Sequence, residues 1–426
     1  MRIAWPILQN QLSTTAPRHW CEARVGDVAE LINGYPFDSN LFASEGTYPL
    51  VRIRDLGDGP LDTWITGDVP ASVLLREGDI VVGMDGDFNV AWWNKGPAAL
   101  NQRLCLLRGR QDRVDQRFLF YALPRTLKVI NDLTYFTTVK HLASGDLLSE
   151  RLFLPPVEEQ RTIADYLDRE TSRIDSLTDE LVSLASLVAV RRAAEIDNAI
   201  EHGGGDMPLV PVESPWIDAV PKGWRFLPLK RCAAKITVGI VINPSQYYEE
   251  SGVPVLRGFN VRPALVSDTD VAYMSEESNE LNSKSRLEEG DVVVVRTGAA
   301  GAAAQIPLWA VGGNIVDLLL VRPGLQLRPK FLEFVLNSRL VQRQVAVGSV
   351  GALQSHFNTG ALANVWVVVP DLDEQDRLLA HLSIQIGRYD SLIESLGNLM
   401  LLLSEHRQAL ITAAVAGGLG AVGRAA

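Results

Sequence analysis

The feature that most constrains this 426-residue chain is an internal duplication. From His141 onward the two copies align at a constant offset of 215 residues, which pairs His141 with His356 and Pro155 with Pro370. Upstream, short blocks recur in the same order at offsets that drift from 204 to 213. Chance would not keep this order over most of the chain, so the sequence predicts two copies of one module.

Each copy contains the same succession of local signals. A Glu-Gly-Asp turn followed by apolar residues indicates a buried strand, and a helical stretch follows near residues 118–130 in the first copy and 330–345 in the second. A short strand then stops at proline, which opens a long helix where its missing N–H costs nothing. Each copy is therefore predicted to be a mixed α/β module that ends in a long helix.

The two long helices carry a heptad pattern of apolar residues. The first helix shows it at Ile174, Leu177, Leu181, Leu184 and Val188, and the second at Tyr389, Leu392, Leu396, Leu399, Leu403 and Leu410. A heptad seam indicates a coiled coil. Because globular modules separate the helices, we expect them to pack on each other in antiparallel orientation; the alternative is that each helix packs on its own module.

These signals predict an α+β fold in which two pseudo-symmetric α/β modules are separated by two long antiparallel helices that form a coiled-coil spacer. The predicted boundaries are 1–155 for the first module, 156–202 for the first spacer helix, 203–223 for a linker, 224–369 for the second module, 370–416 for the second spacer helix and 417–426 for a tail. A helix of about 40 residues is about 60 Å long, so the pair would be a stiff ruler.

Composition limits the compartment and says little about binding. The net charge is −11, but residues 151–201 and 356–426 carry −8 of it, so the modules are nearly neutral. Three dispersed cysteines form neither a disulfide framework nor a metal spacing, which suits a reducing cytoplasm. No apolar run approaches the ~18 residues of a membrane helix, and residues 1–12 lack a signal-peptide pattern. We expect a cytoplasmic protein without a membrane contact.

Catalytic motifs are missing from the sequence. There is no Gly-Lys dipeptide for a P-loop, no Asn/Asp-Pro-Pro-aromatic loop of an adenine methyltransferase, no His-Glu-x-x-His and no Cys-x-x-Cys. Asp85-Gly86-Asp87 lacks the later acid of a calcium loop and indicates a turn. His141 and His356 are either structural histidines or polar contacts to a ligand. The sequence therefore favours a binding protein.

Several segments resemble the DNA-specificity subunits of type I restriction–modification systems, and the resemblance covers nearly the whole chain. The most specific are residues 154–160, their counterpart 369–375, and residues 407–415 near the end of the second helix. Residues 48–56 and 137–142 also look like family signatures. The second copy departs from the first, because Arg54-Asp55 becomes Phe259-Asn260 and Lys140 becomes Ser355.

The resemblance implies that each module is a target recognition domain and that the helices set the distance between them. Such a chain has no catalysis and needs no cofactor of its own. It would recognise a bipartite, asymmetric double-stranded DNA sequence and dock methyltransferase subunits, two per chain, that bind S-adenosylmethionine and methylate adenine. Restriction and translocation subunits can join them. The implied contacts with partner subunits are Glu159, Gln160, Glu374 and Gln375.

Candidate DNA contacts are polar residues on loops at the ends of predicted strands, where side chains can reach phosphates and base edges. They are Arg52, Arg54, Lys140 and His141 in the first module, and Arg257, Asn260, Arg296, Thr297, Ser355 and His356 in the second. For each arginine the alternative is a surface charge or a salt bridge. For the whole chain the alternatives are a coiled-coil adaptor with two protein-binding modules and an enzyme with an unrecognised site.

The ruler hypothesis predicts the effect of lengthening both helices. Four residues inserted at matching positions add about one turn, or about 6 Å, and should widen the unread gap by roughly two base pairs at about 3.4 Å each. The gap would be measured by sequencing methylated DNA from a host that expresses the variant with its methyltransferase. An unchanged gap with intact binding would show that the helices do not set the spacing.

Overall fold

The computed structural model describes residues 16–57, 59–133, 141–241, 244–348 and 357–418. The chain divides into two compact units. Unit 1 comprises Met1–Leu181 and Asn398–Ala426, and unit 2 comprises Val182–Gly397. Each unit therefore contains one globular module and a part of both long helices. In the part of the chain that the structure describes, no helix is long and apolar enough to cross a membrane.

The module of unit 1 is built from short strands with few helices. Its strands are β1 (Cys21–Arg24), β2 (Ala29–Asn33), β3 (Phe42–Ala43), β4 (Tyr48–Val51), β5 (Trp64–Ile65), β6 (Leu74–Leu75), β7 (Ile80–Gly83), β8 (Val90–Trp92), β9 (Ala98–Leu100), β10 (Leu104–Gly109) and β11 (Arg151–Leu154). Its helices are α1 (Val25–Val28), α2 (Gln116–Leu133) and α3 (Ser144–Ser149), and the long helix α4 (Val157–His202) follows.

Two sheets and a strand pair organise this module. An antiparallel sheet has the order β2-β10-β7-β8, and a five-stranded sheet has the order β3-β5-β4-β9-β6, in which β4 and β9 run parallel. Strands β7 and β9 are fully buried, as expected of short apolar runs between turns. Strands β1 and β11 pair antiparallel, so the strand that leads into α4 is fixed to the start of the module.

Unit 2 contains the second module. Its strands are β12 (Leu209–Pro211), β13 (Ala219–Pro221), β14 (Arg225–Pro228), β15 (Ala233–Val238), β16 (Val253–Leu256), β17 (Val261–Arg262), β18 (Leu265–Val266), β19 (Ala272–Met274), β20 (Val292–Val295), β21 (Ala303–Gln305), β22 (Asn314–Ile315), β23 (Leu318–Pro323) and β24 (Trp366–Val369). Its helices are α5 (Glu276–Leu281), α6 (Pro329–Asn337), α7 (Arg339–Gly348) and α8 (Thr359–Ala363), and the long helix α9 (Leu372–Val415) follows.

The topology of unit 2 repeats that of unit 1. The sheet β15-β23-β20-β21 corresponds to β2-β10-β7-β8, the parallel pair β16 and β22 corresponds to β4 and β9, and the pair β14 and β24 corresponds to β1 and β11. The duplication predicted from the sequence is thus confirmed as a duplication of fold. The segment 203–223, predicted to be a linker, contains the antiparallel pair β12 and β13.

The recurring Glu-Gly-Asp turn places a buried aspartate at the start of a strand in both units. Its glycines have φ of +87° and +86°, a conformation that favours glycine. The buried Asp79 accepts two hydrogen bonds from Arg108, both at 2.7 Å, and Asp291 accepts two from Arg322 at 2.8 and 2.9 Å. The bond to Asp79 raises the pKa of Arg108, and that to Asp291 raises the pKa of Arg322. We call each of these two-bond arginine–aspartate pairs a fork. The fork ties the turn to the neighbouring strand in both units.

Helices α4 and α9 pack antiparallel in each unit, as predicted. In unit 1, Arg407 Nε donates to Asp175 Oδ1 at 3.0 Å, and in unit 2, Arg192 Nε donates to Asp390 Oδ1 at 2.7 Å. Because the duplication offset of 215 residues relates Asp175 to Asp390 and Arg192 to Arg407, the two ion pairs are equivalent. We call them the helix clamps.

At four of the eleven predicted positions, the buried row of the heptad seam lies one residue further along the helix. Ile174, Leu181 and Val188 are buried as expected. Leu396 is also buried, and Tyr389, Leu403 and Leu410 are half-buried. Four predicted positions are exposed by 41–44 %, namely Leu177, Leu184, Leu392 and Leu399. Their neighbours are half-buried in the seam instead, namely Thr178, Ala185, Ile393 and Met400. The apolar stripe of each helix is wider than the seam. Residues smaller than leucine, such as Thr178 and Ala185, allow the two helices to approach each other more closely.

Removing the carboxylate of the buried fork should destabilise unit 1. In Asp79→Ala the half-buried Arg108 loses its partner, which typically costs about 3–5 kcal/mol. Calorimetry of the whole chain should show a thermal transition at lower temperature. The control is Asp112→Ala, because Asp112 pairs with Arg113 at 3.5 Å on the open surface, where ion pairs contribute about 0–1 kcal/mol. Equal shifts in both variants would contradict a scaffold role for the fork.

Candidate nucleic-acid interface

In unit 1 the ends of three strands meet at one edge. The backbone N–H of Asn101, after β9, donates to the carbonyl of Val51 in β4 at 3.1 Å, and Met84 N, after β7, donates to Arg103 O at 3.0 Å. The loops after these strands therefore lie side by side. We define edge 1 as Arg52, Arg54, Asp85, Arg103 and His141, a set that contains three of the DNA contacts predicted for the first module.

The two arginines after β4 differ in how firmly they are held. Arg52 is half-buried, and its guanidinium donates to Asp55 at 3.1 Å, to Asp62 at 2.9 Å and to Thr63 at 2.7 Å. Arg54 is 63 % exposed, and its nitrogens lie 3.6 Å from carboxylate oxygens of Asp55 and Asp62. The hydrogen bond from Thr63, with Arg54 and Arg52 nearby, lowers the pKa of Asp62. Arg52 thus stabilises the loop through Asp55, Asp62 and Thr63, whereas the guanidinium of Arg54 is accessible to a ligand.

Asp85 is the centre of a three-residue cluster on edge 1. One of its carboxylate oxygens lies 2.7 Å from His141 Nδ1, and the other lies 3.3 Å from Arg103 Nη1. Asp85 and His141 also form an isolated backbone bridge. His141 therefore holds Asp85 in place, and half of its side chain stays exposed.

Unit 2 has the equivalent edge with different chemistry. Val316 N, after β22, donates to Leu256 O in β16 at 2.9 Å, so the loops after these parallel strands are again adjacent. We define edge 2 as Arg257, Phe259, Arg296, Thr297 and Asp317. Where unit 1 presents Arg54, unit 2 presents the exposed ring of Phe259.

Arg257 is held by aromatic rings where its counterpart Arg52 is held by acids. Its guanidinium lies 4.4 Å from the ring centre of Phe259 and 5.7 Å from that of Tyr248, and it donates to the carbonyl of Asp270. The next candidate, Asn260, is fully buried: its oxygen accepts from Arg257 N at 3.0 Å, and its nitrogen donates to Thr269 O at 2.9 Å. Asn260 leaves no atom open to a ligand in this structure.

Arg296 and Thr297 converge on one acid. Arg296 Nη1 donates to Asp317 Oδ1 at 2.9 Å, and Thr297 Oγ1 donates to Asp317 Oδ2 at 3.3 Å. The Asp317 side chain is 47 % exposed, whereas that of Arg296 is 23 % exposed. The acid is therefore the more accessible member of this pair. The remaining candidates, Lys140, Ser355 and His356, lie outside the described residues.

Four residues of these edges are not among the candidate DNA contacts of the sequence analysis, namely Asp85, Arg103, Phe259 and Asp317. Arg103 directly precedes β10, and Asp317 directly precedes the equivalent strand β23. Asp85 was assigned only to a turn. The sequence did contain a signal, because Arg103 and Asp317 have opposite charges at equivalent positions of the two copies. Only the strand pairing shows that these positions are equivalent.

The glutamines predicted to contact partner subunits, Gln160 and Gln375, instead form hydrogen bonds within the chain. We call these two residues the staples. Gln160 Nε2 donates to Pro155 O at 2.8 Å, and its oxygen accepts from Asp115 N at 2.8 Å. Gln375 makes the same two contacts, to Pro370 O at 2.9 Å and from the N–H of Arg328 at 2.8 Å. Each glutamine ties the start of a long helix to the loop before α2 or α6. Both are buried, so neither side chain is open to a partner subunit in this structure.

The glutamates beside them are half-buried and also have partners within the chain. Glu159 accepts from Trp20 Nε1 at 3.1 Å, and its other oxygen lies 2.9 Å from His19 Nε2. Glu374 accepts two hydrogen bonds from Arg377, at 2.6 and 2.7 Å, and this contact raises the pKa of Arg377. Gln160, Gln375 and Glu159 therefore join helix and module, whereas Glu374 pairs with Arg377 within its own helix.

Comparisons with known proteins point to one family. A family model described as the type I restriction modification DNA specificity domain matches residues 17–184. The chain is 28 % identical over 417 residues to the type I restriction enzyme EcoBI specificity subunit of Escherichia coli, covering 95 % of this chain and 87 % of that protein. It is 23 % identical over 399 residues to the MjaVIII specificity subunit of Methanocaldococcus jannaschii, covering 89 % and 88 %.

A solved structure shares the fold over nearly the whole chain. The matching chain belongs to a structure described as the basis of complex assembly and conformational transition of the type I R-M system, with a TM-score of 0.68 and 20 % identity. The match covers 95 % of this chain and 99 % of the other. Over nearly its whole length, the chain is similar to DNA-specificity subunits of type I restriction–modification systems.

Proposed function

We propose that this chain is the non-catalytic specificity subunit of a type I restriction–modification complex and recognises a bipartite, asymmetric DNA sequence. The observation that carries the proposal is one scaffold used twice with two different edges. Edge 1 displays the cations Arg54 and Arg103, and edge 2 displays the ring of Phe259 and the carboxylate of Asp317. Two modules of one shape with unlike surfaces suit two unlike half-sites.

Catalysis is assigned to partner subunits. Within the described ranges, no group of three or more His, Cys, Asp or Glu side chains could hold a metal ion. The edges contain ion pairs and ring contacts, and no nucleophile with a base partner has been assigned there. We therefore propose that a methyltransferase subunit binds S-adenosylmethionine and transfers the methyl group to adenine, while this chain supplies the DNA sequence. Its three free cysteines fit the reducing cytoplasm.

The docking surface that we propose for the methyltransferase is the apolar row left beside the helix seam. In unit 1 this row contains Leu177, Leu399 and Leu402, which we call stripe 1, and in unit 2 it contains Leu392, Leu184 and Leu187, which we call stripe 2. All six are exposed. Exposed leucines in regular rows on a helix indicate a protein contact.

The two stripes are copies of each other. The offset of 215 residues converts Leu177 into Leu392, Leu184 into Leu399 and Leu187 into Leu402. Each unit therefore carries one complete copy of the same surface, made from both helices. We propose that one methyltransferase subunit binds each stripe, which gives two per chain, and that a restriction and translocation subunit joins this core.

Charges placed on one stripe should remove one methyltransferase subunit. The variant Leu184→Asp with Leu392→Asp would bury carboxylates in the proposed interface of unit 2, so native mass spectrometry should show one bound methyltransferase instead of two. The control is Val182→Asp, because Val182 is also exposed and lies about 160° around α4 from Leu184. Two methyltransferases on the stripe variant, or an equal loss in the control, would contradict this surface.

The decisive test of the function is the methylation pattern. We expect single-molecule sequencing of DNA from a host expressing this chain with its methyltransferase to show adenine methylation within one bipartite, non-palindromic motif of constant gap. A contiguous motif or no methylation would reject the proposal. The adaptor alternative predicts no duplex binding, whereas the specificity subunit complex should bind DNA with an affinity that falls steeply as salt rises.

A further inference from the structure

We propose that Arg103 contacts a base and sets a guanine preference in the half-site read by unit 1, and that Asp85 is its positioning residue. This inference rests on the proposed function and names the chemistry of one contact within it. Its structural basis is the residue directly before the equivalent strands β10 and β23, which is an exposed cation in unit 1 and an exposed acid in unit 2, although the scaffold around it is unchanged.

The duplication separates scaffold residues from edge residues. The fork of Asp79 and Arg108 is retained as Asp291 and Arg322, with the same atoms in contact. The staple of Gln160 recurs in the same way in unit 2. Residues that hold the fold thus keep both identity and partners across the two copies, and a position that keeps its place but changes its chemistry is available for recognition.

The ion pair beside β10 is such a position. In unit 1 the strand is preceded by the cation Arg103, which pairs with Asp85 after β7. In unit 2 the equivalent strand β23 is preceded by the acid Asp317, which pairs with Arg296 after β20. The strand register equates Arg103 with Asp317, because Leu104 pairs with Gly83 in unit 1 and Leu318 pairs with Val295 in unit 2. It equates Arg296 with Met84, so the partner of Asp317 lies one position earlier after its strand than Asp85, the partner of Arg103.

Arg103 combines exposure with a defined orientation. Its side chain is 61 % exposed, and its contact with Asp85 is made through Nη1 at 3.3 Å. Asp85 itself is fixed by His141, at 2.7 Å, and by the backbone bridge to that residue. Arg52 is oriented but half-buried, whereas Arg54 is exposed but its nearest carboxylate oxygens are 3.6 Å away. Of these three arginines, Arg103 has the properties of a specific contact.

The chemistry of the exposed group assigns the base. A guanidinium fork matches the O6 and N7 acceptors of guanine in the major groove, whereas a carboxylate accepts from the amino group of cytosine. Arg103 should therefore select guanine. At the equivalent place in unit 2 the exposed Asp317 cannot make that contact. The same location on the two modules would thus read bases of opposite hydrogen-bonding character.

The test uses the full complex of this chain with its methyltransferase. Methylated motifs and methylation rates on duplexes differing at single positions are compared for wild type, Arg103→Ala and Arg103→Lys, of which lysine keeps the charge but lacks the fork. In both variants one guanine of one half-site should become degenerate, with discrimination reduced about ten- to a hundredfold. The other half-site and the gap should be unchanged.

Further variants test the positioning role and assign the half-site. Asp85→Asn should weaken discrimination at the same guanine by a smaller factor, because Arg103 is then less firmly oriented. Asp317→Ala should alter the other half-site only. The matched control is Arg113→Ala: Arg113 is 68 % exposed and pairs with its own acid, Asp112, beyond the opposite end of β10. It should leave both half-sites unchanged.

The outcomes separate this inference from the function on which it rests. If wild type methylates a bipartite motif and both Arg103 variants keep that motif at full discrimination, the assignment of Arg103 is wrong and the function stands. If wild type shows no bipartite motif, the proposed function fails. If Arg103→Ala abolishes all methylation, the lysine variant decides, because a merely structural cation would be replaced without loss of guanine discrimination.

Discussion

The antiparallel pairing of α4 with α9 is the constraint on which the rest of the structure depends. It makes unit 1 from two distant parts of the chain, because the module of unit 1 precedes α4 whereas the end of α9 closes the same unit. Ile163 and Leu167 of α4 share a core with Ile411 of α9 and with Phe118 of the module. Each module is therefore anchored to a two-helix base.

The staples and the forks connect the two-helix base to the strands that carry the edges. Gln160 and Gln375 fix the start of each long helix to the loop before α2 or α6, and the buried forks fix the turn before β7 or β20 to the adjacent strand. The edges lie at the ends of these same strands. A rigid framework supports a few exposed side chains, which is the arrangement that accurate placement of hydrogen-bonding groups requires.

Sequence reasoning predicted what periodic and local signals determine, namely the repeat, the long helices and their antiparallel pairing. It misplaced four of the eleven seam positions because Leu177 and Leu184 are more apolar than the half-buried Thr178 and Ala185, and only packing against the other helix selects one row. It named Asn260 as a contact because polarity alone does not reveal that both amide groups are used inside the fold. It missed Arg103 because the pairing with Asp85 joins separate strands of the sheet.

The helix clamps have a consequence for the order of the chain. Asp175 pairs with Arg407, and Asp390 pairs with Arg192, so each long helix carries one acid and one base at matching places. Exchanging α4 and α9 would therefore leave both ion pairs intact. The helix clamps pair the two helices but are the same for both helices, so they do not depend on the order of the two copies in the chain. These ion pairs therefore cannot distinguish the two orientations of an asymmetric site, whereas the edges, which differ in chemistry, can.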